Sequence, residues 1–272
     1  MQRSTILPAI LMLAPALAAA QEGSTPKTWS SSIGIATVAM PTYTGSNRYR
    51  VRAVPILQLE FKDRAYLGSS TGGTGGGVGV YMVRKSAFSW STELSTAGKR
   101  RESFGDGLAG MGNRDGGAFV GNNISYRVGS LTAGANVAIG LGKDEGAMGS
   151  VNAATQHRMG NRWIAGVSTG ATFANKDNMA FDFGINSVQS GRRQSLIAAG
   201  DSRLSPGDGG MYAPKGGLKQ AQVSTSLGFL ISGRTTAMAF ASGTRLGSEA
   251  ANSPLTRKRN GVVAGLGIAY GI

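Results

Sequence analysis

The sequence predicts an all-β chain, a transmembrane antiparallel up-and-down β-barrel of about 12 strands that follows a cleaved signal peptide. Three observations carry this prediction. Segments of about ten residues alternate large apolar groups with small ones, the pattern of a strand with lipid on one side and a crowded lumen on the other. Short turns and longer polar connections separate these segments. No run after the leader reaches the roughly 18 consecutive apolar residues that a membrane-spanning helix needs.

The segment ending at Ile272 shows the alternation most plainly. Val262, Ala264, Leu266, Ile268, Tyr270 and Ile272 share one face, and Gly261, Val263, Gly265, Gly267, Ala269 and Gly271 the other. Such a strand is expected to close the sheet against the first one, which leaves no unpaired edge in the bilayer. At the other end, residues 1–20 read as the signal peptide and 21–272 as the barrel. Arg3 gives the positive start, Ile6 to Leu17 a short apolar stretch broken by Pro8 and Pro15, and Ala18-Ala19-Ala20 the cleavage site before Gln21. The chain has no cysteine, which excludes a lipidated cysteine, disulfides and thiolate metal sites.

Composition fits this class. The 43 glycines disfavour helix, where each costs about 1 kcal/mol relative to alanine. They show no Gly-X-Y period, and 41% hydrophobic residues exclude a disordered chain. Net charge is +14, or +13 once the leader with its Arg3 is removed.

Further strands follow the same rule. Leu131 to Leu141, Trp163 to Ala174 and Phe88 to Ser95 each alternate, with the odd-numbered large residues of the first two and Phe88, Trp90 and Leu94 of the third expected to face lipid. Trp29, Trp90, Trp163, Tyr43, Tyr49, Tyr126 and Tyr270 lie near strand ends, where interfacial girdles form. Short turns are expected at Arg84-Lys85-Ser86, Gly129-Ser130, Gly160-Asn161 and Ser232-Gly233-Arg234. Long connections are expected over Met40 to Arg48, Gly98 to Gly117, Gly142 to Ser150, Ser190 to Gly217 and Gly247 to Asn260. About 13 strand candidates result, an odd number that a single-chain bacterial barrel does not use. Reading Ala65 to Val83 as one strand interrupted by the run Gly72 to Gly79 gives 12; a hidden crossing at Gln194 to Ala199 gives 14. We take about 12, with 10–14 compatible with the pattern.

Three ordered stretches resemble the MltA-interacting protein family, also called MipA/OmpV. They are Pro41-Thr42-Tyr43-Thr44-Gly45-Ser46-Asn47-Arg48-Tyr49-Arg50 with Pro55, then Phe183-Gly184-Ile185-Asn186-Ser187-Val188-Gln189-Ser190 with Tyr212 to Leu218, then Leu246 to Leu255 with Ser253-Pro254. The chain departs from the family at Glu249, over Ser190 to Met211, and at Ile272, where an aromatic is usual. The resemblance implies a barrel in the outer membrane of a Gram-negative bacterium. In the name-giving branch it implies a non-enzymatic scaffold that links a lytic transglycosylase to a bifunctional penicillin-binding protein.

Catalytic patterns are weak. Gly166-Val167-Ser168-Thr169-Gly170 matches a nucleophile elbow, but it sits within an alternating strand, and the chain's one histidine is His157. An outer-membrane hydrolase would rest on Ser168 and His157 alone. Ser24 to Lys27 fits S-x-x-K just past the cleavage site, and the glycine run lacks a phosphate-loop ending. The acidic residues are dispersed, so no metal or other cofactor is expected. The basic clusters Arg48/Arg50/Arg52, Lys99/Arg100/Arg101, Arg192/Arg193 and Arg257/Lys258/Arg259 read either as solvated surface or as contacts to lipopolysaccharide phosphates and other anions. The second reading suits a diffusion channel or adhesin-like barrel. The leader and barrel pattern argue against nucleic acid, and none is expected as a partner.

Overall fold

The computed structural model describes residues 29–62, 64–68 and 77–272. The expected signal peptide with its expected Ala20/Gln21 junction, the Ser24 to Lys27 motif and most of the glycine run lie outside the described residues. Twelve strands form one closed antiparallel barrel, each beside its sequence neighbours and β1 against β12. In order they are β1 (Trp29–Pro41), β2 (Tyr49–Phe61), β3 (Ala65–Gly68), β4 (Gly77–Arg84), β5 (Phe88–Thr96) and β6 (Ala118–Val128). They continue with β7 (Leu131–Gly140), β8 (Ala147–Met159), β9 (Trp163–Ala174), β10 (Gly217–Leu230), β11 (Thr235–Leu246) and β12 (Asn260–Gly271). Among the described residues, three α-helices lie in the connections: α1 (Lys176–Phe183), α2 (Ser187–Ala198) and α3 (Ser248–Ala251). No described helix is long and apolar enough to cross a membrane.

The predicted faces hold. Leu266 (67% exposed), Ile268, Val137, Val167 and Leu94 all point outward. Closure runs from Ser32↔Gly271 to Ala39↔Ala264, so the last strand seals the first. Every main-chain polar group in the hydrocarbon must be paired, and a closed ladder achieves this without an edge. Short turns gather at one end and long connections at the other, the asymmetry by which membrane barrels of this class keep their turns in the periplasm and their loops outside. Aromatic pairs Trp29–Phe61 (4.5 Å) and Trp163–Phe229 (4.7 Å) belong to the girdle at the turn end.

Several expectations need correction. The strand total is 12, but Ala65 to Val83 is not one interrupted strand. It contains β3 and β4, which pair through Ala65↔Val80 and Gly68↔Gly77 as a hairpin. Gln194 to Ala199 is no crossing; it lies in α2. A capping box starts that helix, with the Asn186 and Gln189 side chains each accepting from the other's backbone N–H. The outer connection before β10 therefore begins at Asn175, and Asn175 itself caps α1. β8 also takes in Ala147 to Ser150, read from sequence as loop. Tyr43 belongs to the loops rather than a girdle.

The inner wall is mixed in chemistry. Ala36, Val38, Met40, Val54, Ile56, Met238, Phe240 and Ala269 form an apolar seam inside β1, β2, β11 and β12. Gly265 makes room for it, since a Cβ there would strike the Phe240 ring. Elsewhere the inner wall carries polar ties. Asn136 donates to Asn123 (2.7 Å), and Tyr66 to Glu93 (2.9 Å).

Candidate functional site

Four outer connections, 42–48, 97–117, 175–216 and 247–259, pack together as a cap at the loop end. Apolar contacts start it. Met179 and Phe183 of α1 meet Ala174, Leu246 and Ala250, and Met111, Ile185 and Leu255 form a second cluster with Tyr212. Polar ties then fix the loops to one another. Arg193 on α2 is fully buried and donates from Nε to Asp208 O (2.7 Å) and from Nη1 to Gly107 O (2.9 Å) and Ala109 O (2.8 Å). Gly110 lets the backbone approach that side chain, at a left-handed φ of 77° that a residue with a Cβ would adopt only under strain. Gln189 donates to Met111 O (3.2 Å) and Ser190 to Gly209 O (2.6 Å).

Ion pairs complete the cap. Both Arg257 Nη atoms donate to Asp208 (2.9 and 2.8 Å). Burial pushes the Asp208 carboxyl up, but Arg257 and the Ser205 N–H outweigh it and hold it below the usual carboxylate range. Asp182 behaves alike: burial raises its pKa, whereas Lys219 (2.6 Å) and Arg114 (3.1 Å) bring it well below the ordinary value. Arg114 also stacks on Phe181 (3.6 Å) and donates to the Phe181 carbonyl. The arrangement is a rigid, charge-paired lid.

Most family-motif residues meet here. Tyr43 donates to Leu255 O (3.0 Å), Ser253 to Phe183 O (2.7 Å), and Gly45 O accepts from the backbone N–H groups of Arg257 and Lys258. Ser46 is buried against Thr42, and Gly184 closes α1 with its N–H on Ala180 O. Pro254 lies between Ser253 and Leu255 in the same loop. Pro41 and Tyr49 pair across the mouth of the β1–β2 hairpin, and Tyr49 Oη accepts from Val262 N (3.1 Å). Pro55 is different: it faces outward opposite Ile35, beyond the reach of the β2–β3 ladder, which begins at Leu59. A missing N–H costs nothing there.

The six basic loop residues divide. Arg100 is buried and donates to Asp182 O (3.1 Å), and burial lowers its pKa to about 10. Arg257 is held by Asp208, and Arg259 donates to Leu246 O (3.0 Å). Lys99, Arg101 and Lys258 remain exposed, with Lys99 near Asp115 (3.2 Å). Within the lumen, Arg50 and Arg52 follow each other on the inner face of β2. Arg50 lies over the Phe104 ring (4.7 Å), and its buried Nε and Nη1 have no hydrogen-bond partner among the described residues.

Ser168 and His157 are not brought together. Ser168 pairs with Ser224, which is buried inside the barrel. His157 shares the face of Thr155, the partner of outward-pointing Val167, so the wall separates the two side chains. Among the described residues no His, Asp or Glu cluster is suited to a metal ion.

One feature escaped the sequence reading. Each of the five described short turns carries or adjoins an exposed Lys or Arg: Lys62 and Arg64, Lys85, Arg127, Arg162 and Arg234 in chain order. They stand far apart along the chain, so no run marks them, and hairpin topology alone gathers them.

No curated protein matches this chain in sequence. Similar solved structures include an outer-membrane channel of Pseudomonas putida F1, at 8% identity and a TM-score of 0.45, covering 92% of this chain and 97% of that one. The NanC porin is similar at 7% identity and a TM-score of 0.46, covering 88% and 98%. An anion-selective porin from Comamonas acidovorans is similar at 7% identity and a TM-score of 0.40, covering 90% and 99%. The family model described as "MltA-interacting protein MipA" matches residues 33–272, and with this barrel the chain belongs to that family of the Gram-negative outer membrane.

Proposed function

We propose that this chain is a non-enzymatic scaffold of the outer membrane, which holds a lytic transglycosylase at its periplasmic end and a bifunctional penicillin-binding protein beside it. The family match over residues 33–272, with the partner its description names, is the observation that carries this reading. The tied cap and the separation of Ser168 from His157 agree with a structural role. Affinity capture from cross-linked envelopes tests it. Transglycosylase and penicillin-binding protein should be enriched with the tagged chain. Recovery of neither, above the level given by an unrelated tagged barrel, would sink the scaffold reading.

A second reading, passage of small anions, is favoured by Arg50 and Arg52 on the inner wall. Opposite charges in a lumen favour the solute that passes, as rings of Arg or Lys do in anion pores. Steady anion-selective current through the parent barrel in a planar bilayer supports this reading.

A further inference from the structure

Among the described residues, the exposed charges at the periplasmic end of the barrel are all positive. Lys62, Arg64, Lys85, Arg127, Arg162 and Arg234 are all exposed there. Arg158, at the foot of β8, adds to them, while Arg84 is paired with Glu60 (2.6 Å). Glu60 is the one acidic side chain of this end among the described residues; Asp63 lies outside them. The remaining turn residues are small or polar, such as Ser86, Gly129, Asn161 and Ser232, with Ile231 the one large apolar group. This end therefore offers a partner charge and hydrogen-bond donors, with little apolar surface.

Placement distinguishes among anionic partners. Lys62 lies over Phe61 (5.4 Å) and Arg234 reaches Tyr270 Oη (3.5 Å), at the girdle where lipid headgroups sit. Arg127 and Arg158 do not. Arg127 shares its face with Asn123 and Arg158 pairs with Ile164, both buried within the barrel. Lipid surrounding the barrel cannot reach cations on the inner side of the mouth. A body that covers the whole end can, and the shortness of all five turns leaves that end open to one flat surface.

We propose that this basic ring docks the acidic face of the murein-cleaving partner, an inference that rests on the scaffold reading above. The ring steers the partner to the periplasmic mouth and fixes its orientation through charge, as complementary potentials do at protein interfaces. Recognition of this kind weakens as salt screens it.

The test uses the full mature chain refolded into nanodiscs of zwitterionic lipid, so that anionic headgroups do not compete. Purified lytic transglycosylase is titrated against it at low and high salt. The turn variant carries Lys85→Gln, Arg127→Gln, Arg158→Gln and Arg162→Gln. The loop control carries Lys99→Gln, Arg101→Gln and Lys258→Gln at the opposite end. Heat-modifiable gel migration confirms that each barrel is folded. The parent should bind with affinity that falls as salt rises, the turn variant about tenfold or more weaker, and the loop control like the parent. A turn variant that binds like the parent overturns the ring while leaving the scaffold reading in place. A parent that does not bind the enzyme overturns both. A parent that binds purified sacculi through the ring, and not the enzyme, assigns the surface to murein glycan and overturns this proposal.

Discussion

Replacing Arg193 by alanine is expected to release the cap and leave the barrel wall intact. The substitution removes three hydrogen bonds from a fully buried guanidinium to carbonyls of two different loops. Hydrogen bonds from charged donors contribute about 1.5–3 kcal/mol each, but burial of the guanidinium opposes them, so a net loss of about 3 kcal/mol is expected. Amide exchange in 97–117 and 175–216 should then accelerate on the order of 100-fold, because local opening sets exchange in such segments. Heat-modifiable migration should not change, since the three carbonyls that Arg193 holds all lie in the loops. Unchanged exchange in both loops would show that Arg193 does not hold the cap closed. Acid should imitate the substitution. Asp208 and Asp182 have folded-state values below the ordinary 3.8, so their contribution is complete above that pH. It is lost as pH falls through the depressed values, and the cap should stay closed across the neutral range.

Leu266→Arg is expected to reduce the folded, inserted fraction far more than Ile272→Arg. Leu266 is 67% exposed on the outer wall, in the middle of β12, between Thr37 and Ala239. Arginine at the midplane costs about 2–4 kcal/mol on a lipid-facing position, against about 0–1 near an interface. The folding equilibrium in lipid vesicles should therefore shift by about 30- to 1,000-fold for Leu266→Arg, and by less than about tenfold for Ile272→Arg. Equal refolding of both variants and the parent would mean that this face does not meet hydrocarbon.

The wall was legible in the sequence because each strand announces itself locally. Leu131 to Leu141, Trp163 to Ala174 and Val262 to Ile272 alternate by residue, and lipid rewards that pattern strand by strand. The route to twelve strands was less legible, since β3 has only four residues and gives almost no periodic signal. The cap was not legible as a structure. Arg192 and Arg193 look alike as neighbours, yet one is exposed and the other fully buried. That difference comes from carbonyls at Gly107, Ala109 and Asp208, which only the closed topology brings to Arg193. The motif residues were found, but their common position at the barrel mouth depends on contacts such as Tyr43 with Leu255, which no local pattern encodes.

The apolar seam inside the wall bears on the order of assembly. β1 and β2 meet β11 and β12 only when the two ends of the chain come together, and contacts of such sequence separation form late. Until then β1 shows Ile33 and Ile35 on one side and Ala36, Val38 and Met40 on the other. A segment apolar on both faces is prone to self-association in water. β8, with Ser150, Asn152 and Gln156 on its inner side, tolerates water far better. The strands at the two ends of the barrel sheet are thus those least suited to waiting unpaired in water. Once shut, the seam acts as a latch: reopening it would wet the inner apolar side chains, which no lipid reaches.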